Sequence, residues 1–213
     1  MTSGTSRART TPGHDVRTVI KVGGGLLAAA GAFELVTGAL TAFAKGRRAL
    51  VVPGGGPFAG AVRELLRRVK IGDEAGHWMA VLGMDQYAHA LAERTSGAVL
   101  VEQRSEITSA LDAGQVPVLA PYRWLRAADP LPHTGEVTSD SVTAWIAGAL
   151  GATRVVLIKP AKGEAPKVVD PYFFRALPRG VDLVVLTPHE LDKLGEALDG
   201  DPIPGQRRSA GEG

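Results

Sequence analysis

Twice near its N-terminal end the chain runs a short strand-like segment into three consecutive glycines and then into a helical pattern. Thr18-Val-Ile-Lys-Val22 leads to Gly23-Gly24-Gly25, and Ala49-Leu-Val-Val52 leads through Pro53 to Gly54-Gly55-Gly56. Strands that read as unbroken apolar runs are buried on both faces, and such strands alternating with helices build a parallel sheet. Further runs of this kind lie at 98–101, 116–120, 154–158 and 181–186. Helical spacing fills the intervals at 26–44, 59–69, 74–93, 106–113, 140–150 and 188–198. The pattern predicts an α/β fold, a three-layer αβα sandwich on a mainly parallel open sheet. Pro117 marks the fourth strand as an edge or a strand start, and 122–136 reads as Pro-rich turns. One domain over 18–198 is expected, with flexible tails at 1–17 and 199–213.

Ligands of such sheets bind beyond the carboxyl ends of the strands, where both triplets stand. A glycine turn followed by a helix N-terminus offers unpaired N–H groups and a favourable dipole to an anion. Two such cradles suit a reaction in which phosphate leaves one molecule and arrives on another. The alternative is that the glycines serve tight turns and close packing of helix on sheet. Neither triplet supplies the dinucleotide fingerprint in register, and neither ends in the Gly-Lys-Ser/Thr of a Walker A loop. Lys21 stands two residues before the first triplet, so its ammonium can reach the cradle. A positioned cation there stabilises the charge that develops on transferred phosphoryl oxygens. Asp140 opens the helix that follows Thr138 and Ser139. It reads either as an acid favoured by the helix dipole or as an anchor that aims Lys21, with Lys159, at the phosphate.

Several function classes are excluded by composition. A hydrophobic share of 45% against 22% charged residues is that of a globular chain, not a disordered one. The formal net charge is only +2, and the dense basic cluster Arg63, Arg67, Arg68 and Lys70 has the spacing of a solvated helix face. No nucleic-acid partner is expected. Cysteine is absent, which excludes disulfides and thiolate metal sites and fits a reducing, cytoplasmic location. Residues 1–16 carry no apolar run of the kind a secretory signal needs. The apolar stretch 22–44 is interrupted by Glu34 and several glycines, so it reads as a glycine loop followed by a core helix, with no membrane partner.

Val19-Ile-Lys-Val-Gly-Gly-Gly25, Val51-Val-Pro-Gly-Gly-Gly-Pro57 and Thr138-Ser-Asp-Ser-Val-Thr-Ala-Trp145, in that order, resemble the amino acid kinase superfamily. The resemblance covers 18–198. It implies ATP at one half of the sheet edge and a phosphoryl acceptor at the other, with Mg2+ as the accompanying cation. Lys21 matches the transition-state lysine and Asp140 the organising aspartate. Gly23, Gly24 and Gly25 match the loop at the transferred phosphate, and Gly54, Gly55 and Gly56 the acceptor-side loop. His77-Trp-Met-Ala80, Gly83-Met-Asp-Gln-Tyr87 and Val169-Asp-Pro171 are similar to the branch that phosphorylates [5-(aminomethyl)furan-3-yl]methyl phosphate on the way to methanofuran or methylofuran. That likeness implies a small phosphomonoester acceptor; by charge and location Arg63 is expected toward its phosphate and Asp85 toward its ammonium, with His77 nearby. It also implies a homo-oligomer. Where the superfamily usually reads Thr-Asp-x-Asp-Gly, this chain has Lys159-Pro-Ala-Lys-Gly163, so Lys159 and Lys162 are expected at the ATP phosphates. A kinase for another phosphomonoester, or a weakly catalytic relative that binds nucleotide or oxyanions, remains open on these residues.

Overall fold

The computed structural model describes residues 16–161 and 168–201. Six strands, β1 (Thr18–Val22), β2 (Ala49–Pro53), β3 (Ala98–Val101), β4 (Val116–Leu119), β5 (Arg154–Ile158) and β6 (Asp182–Leu186), form one sheet in the order β3-β4-β2-β1-β5-β6. Every pairing is parallel. β1 is central and fully buried, Lys21 included, and it is flanked by the equally buried β2 and β5.

Side chains alternate across the sheet, and this parity assigns the helices to two faces. Val19, Leu50, Val52, Val155 and Leu157 share one core with Val142, Ala144 and Ile146 of α6 (Ser139–Leu150). Ile20, Val22, Val51, Val156 and Ile158 share the other with Val36 and Leu40 of α1 (Ala32–Phe43). Lys21 has the parity of Val19, so it leaves the sheet on the α6 side. Between β2 and β3 run α2 (Gly56–Arg68) and α3 (Asp73–Arg94). α3 contributes Trp78, Val81 and Met84 to the first core and Tyr87, Ala88 and Leu91 to the second. Gly76 and Gly83 let α2 lie close: a Cβ would come within 3.0 Å of Leu66 at the first and 3.1 Å of the Ala59 nitrogen at the second.

Five expectations need correction. The helical pattern at 26–44 is broken: a 3-10 turn covers Gly24–Ala28, and α1 starts only after Gly31, whose φ of 74° no helix continues through. This break also leaves no long apolar helix there, and among the described residues no helix is long and apolar enough to cross a membrane. β4 is an interior strand, so Pro117, its second residue, marks a strand start and not an edge. The N–H groups of Val116 and Ala120 point to β3, so by alternation the proline nitrogen faces β2, where the ladder is thin and Val51 pairs with Val118. The segment 122–136 is not all turn, because α5 (Tyr122–Ala128) occupies its first part. Its start is held from outside: the Asp85 carboxylate accepts the Tyr122 N–H at 2.9 Å. Finally, the pattern at 188–198 divides into a 3-10 segment, Pro188–Lys193, and a helix, Leu194–Asp199. α4 (Arg104–Asp112) starts two residues earlier than the helical spacing implies, with a Gln103–Glu106 capping box.

Candidate active site

Register carries three chain segments to one rim. Val22 lies opposite Pro53 on one side and Ile158 on the other, so Gly23, Gly54 and Lys159 are the next residues of three adjacent strands. The two glycine turns meet there backbone to backbone. A Cβ on Gly24 would sit 2.4 Å from the Gly56 nitrogen, and one on Gly54 would sit 2.5 Å from the Gly24 nitrogen. Gly23 is confined likewise, 2.7 Å from the Ile158 carbonyl oxygen, to which it donates its own N–H. Gly54 donates to the Val22 carbonyl. Gly23 and Gly54 are therefore buried packing positions whose amides are already used. Gly24, Gly25, Gly55 and Gly56 line the adjoining cavity, and they stand at helix starts, where the first amides lack intrahelical acceptors.

Over these turns Asp140 is clamped by two lysines. Lys21 Nζ lies 2.7 Å from Oδ1 and Lys159 Nζ donates to Oδ2 at 2.6 Å. Lys21 and Asp140 are about 95% buried, and the Lys159 side chain is nearly as enclosed. The Lys21 contact is an ion pair out of hydrogen-bonding alignment, which leaves Oδ1 without a hydrogen-bond donor. Burial alone would push the Asp140 carboxyl up; the two ammonium groups overcome that and hold it below its usual range. Burial lowers the Lys21 ammonium, Lys159 lowers it further, and Asp140 opposes both. Two cations on one carboxylate leave one uncompensated positive charge in a poorly solvated place. An anion is the natural complement of such a site.

A cavity of about 410 Å³ opens beside this cluster. Lys21, Asp140 and Lys159 line it, together with apolar side chains that include Val62, Leu66, Val81, Met84 and Val142. Exposed Arg63 and Asp73 and half-buried His77 supply the rest of its charged or polar side-chain wall, with Thr138, Ser139 and Thr134. The His77 ring stacks on His133 with centroids 4.4 Å apart, and His133 Nε2 pairs with Asp129 Oδ1 at 2.8 Å. Burial, with His133 adding to it and Asp129 opposing, pushes His77 down to about 4, so it is neutral at pH 7. Asp85 does not line the cavity; its carboxylate is spent on the start of α5. Lys162 lies outside the described residues. Among the described residues no group of three or more His, Asp or Glu side chains is placed to hold a metal ion.

A family model, that of the Amino acid kinase family, matches residues 16–163 and so spans most of the chain. The chain belongs to the amino acid kinase family. Among curated relatives, the [5-(aminomethyl)furan-3-yl]methyl phosphate kinase of Methanocaldococcus jannaschii is 25% identical over 147 residues, 68% of this chain and 66% of that protein. An acetylglutamate kinase of Erythrobacter litoralis is 32% identical over 100 residues, 46% of this chain and 28% of that protein. The chain thus matches just under two thirds of the first relative's length and far less of the second's. Among solved structures, the uridylate kinase of Archaeoglobus fulgidus superposes with a TM-score of 0.63 at 14% identity, covering 87% of this chain and 97% of that one. The UMP kinase of Ureaplasma parvum gives 0.62 at 14% identity, covering 87% and 93%. These two likenesses establish the shared fold.

The sequence reading named Lys21, Asp140, Lys159, Arg63 and His77, and the fold brings all five to one cavity. Asp73 and His133 stand outside every motif, and Asp170 stands in one without an assigned role. A lone acid at a helix start and a histidine in a Pro-rich stretch carry no local signal. The fold brings Asp73 to the cavity wall from the start of α3 and stacks His133 on His77.

Proposed function

We propose that this amino acid kinase family member is a phosphotransferase that uses ATP and a small phosphate ester, raising the ester to a diphosphate. The single observation that carries the reading is the buried Lys21–Asp140–Lys159 cluster at the meeting point of the two glycine turns. Its net positive charge stabilises phosphoryl oxygens as charge shifts among them, which is the main help a protein gives to this reaction. The bond from the terminal phosphorus of ATP to ADP breaks as a bond to the acceptor oxygen forms, with no covalent enzyme intermediate.

The acid–base character of the site favours an acceptor that is already an anion. Asp140 has a lysine at each oxygen and a depressed pKa, so it is a poor base. His77, at about 4, is a weak one. An alcohol acceptor must lose a proton during attack, whereas a phosphomonoester at pH 7 already carries nearly two negative charges. Among such esters, [5-(aminomethyl)furan-3-yl]methyl phosphate is favoured by the relative from M. jannaschii. Its ring would lie against Val81, Met84 and Val142, with Arg63 near its phosphate. Asp73, which lines the cavity, takes the role first given to Asp85 as partner of the ammonium. On the ATP side, the free amides at Gly24 and Gly25 and the Lys159 ammonium suit phosphate oxygens. Mg2+, when bound, would neutralise phosphate charge; among the described residues no group of three or more His, Asp or Glu side chains would hold it.

The test is a panel of acceptors, the aminomethylfuran phosphate, UMP and isopentenyl phosphate, each with ATP and Mg2+. ADP release and the 31P signals of a new diphosphate are followed. The furan phosphate is expected to give the highest kcat/KM. ATP binding by calorimetry without product from any acceptor would refute catalysis and leave a nucleotide-binding relative.

A further inference from the structure

Asp170 is a buried carboxylate with no cationic partner among the described residues. Its charge is met instead by five donors. Oδ2 accepts the Thr138 N–H at 3.0 Å, the Thr138 hydroxyl at 2.7 Å and the Ser141 N–H at 3.0 Å. Oδ1 accepts the Ser141 hydroxyl and, at 3.1 Å, the Tyr172 N–H. Four of the five donors belong to the start of α6, the turn that carries Asp140. The Thr138 hydroxyl, while donating to Asp170, accepts the Asp140 N–H at 3.3 Å. Thr138 alone would cap the helix adequately. A second anion, brought from the segment ahead of β6, does more: it fixes the depth and rotation of the first turn of α6.

Depth and rotation matter here because Asp140 must present one oxygen to each of two lysines that come from different strands. Lys21 is set by the β1–β5 ladder, and Lys159, the residue after β5, is held by its N–H bond to the Leu186 carbonyl. The third member stands on a helix that packs on the sheet through side chains, a looser constraint. We infer that Asp170 is a positioning residue for the proposed phosphoryl-transfer centre, holding Asp140 between Lys21 and Lys159 through Thr138 and Ser141. The inference rests on the kinase reading for its consequence in turnover, but not for the geometry it asserts.

The experiment reads Lys21 directly. Lysines are labelled with 13C at Cε, and the Lys21 and Lys159 signals are assigned by Lys→Arg substitution at each. Their titrations are then compared in the wild type, Asp170→Asn, Thr138→Val and Leu111→Ala. The charged groups that act on Lys21 are Asp140 and Lys159. If Asp140 is displaced, Lys21 loses its support and titrates at lower pH. That acid-ward move is expected in Asp170→Asn and Thr138→Val. It is not expected in Leu111→Ala, which destabilises a remote part of the core. Where Asp170→Asn does not fold, Thr138→Val carries the same expectation, since it keeps the buried carboxylate and breaks only the hydroxyl relay. Turnover in the two cluster variants falls by about 10-fold or more, while the KM for ATP stays within about threefold of the wild type. An unmoved Lys21 titration in a folded cluster variant, or an equal move in Leu111→Ala, overturns the inference. A wild type that transfers phosphoryl to no acceptor, yet shows the Lys21 shift on substitution, refutes the kinase reading and upholds the positioning role.

Discussion

Replacing Asp140 by Asn removes one charge and almost no volume, so its cost reports the electrostatics of the cluster. Each ammonium lies within 2.7 Å of a carboxylate oxygen. At an effective dielectric near 20, each such contact is worth on the order of 6 kcal/mol before desolvation is subtracted. The variant keeps the desolvation and loses the attraction, the situation in which breaking a buried pair costs about 3–5 kcal/mol. A lysine can limit its own penalty by losing a proton. From the ordinary value of 10.5, that escape costs about 5 kcal/mol at pH 7 but only about 1 kcal/mol at pH 10. In the variant Lys21, already lowered by burial, loses the opposing pull of Asp140, so its folded-state pKa falls well below the unfolded value and the unfolded state binds more protons between the two. Stability therefore rises with pH across that window. Asp140→Asn is expected to lose about 3–5 kcal/mol at pH 7, or roughly 10 °C in Tm for a chain of this size, and to recover much of it by pH 10. Urea unfolding followed by circular dichroism at the two pH values measures this. Inorganic phosphate should narrow the gap at pH 7, because an anion replaces the missing charge. A loss of equal size at both pH values and indifferent to phosphate would show that Asp140 is not neutralising the two lysines.

Three further outcomes are expected. Lys21→Met leaves Asp140 paired with Lys159, so the fold survives while turnover drops about 100-fold or more; a drop below tenfold, read beside the circular dichroism spectrum, would remove Lys21 from the chemistry. Gly24→Ala forces the two glycine turns about 1 Å apart, costing about 1–3 kcal/mol and most of the activity. Gly38→Ala, on an exposed helical site with nothing within 4 Å, should instead gain about 0.5–1 kcal/mol; equal melting shifts in the two would contradict the packing at the rim. Asp85 is pushed up to about 6, chiefly by burial, against 3.8 when unperturbed. Its protonated form is favoured in the fold, so its contribution to stability is full below pH 4 and is lost as pH rises through about 6. Asp85→Asn keeps an oxygen for the Tyr122 N–H and should flatten that part of the stability–pH curve; an unchanged slope would exclude Asp85 as its source.

The residues differ sharply in how readable they were. Lys21 was readable because a strand alternates strictly: the parity that buries Val19 sends Lys21 toward α6. Lys159 was readable as a lysine standing where the family pattern has another residue, directly after a buried strand. Asp85 was misread, since a helix-surface acid looks the same whether it faces a ligand or the backbone of another helix. The helix α5 escaped notice for the complementary reason, as its first amide is satisfied by that same Asp85 from the neighbouring helix. Asp170 lay within a recognised motif but had no role that spacing could reveal, because its partners are some thirty residues away.

What the linear chain determines by itself is local: which segments are strands buried on both faces, which are helices, and where glycines interrupt them. Periodicity and backbone freedom act over a few residues, so these features need no partner to be decided. The tertiary structure alone decides that the two glycine turns touch, that two lysines share one aspartate, and that a second carboxylate binds the start of the helix that carries it. Those are contacts between segments remote in sequence, fixed by sheet register and by the cost of leaving buried charges and amides unpaired.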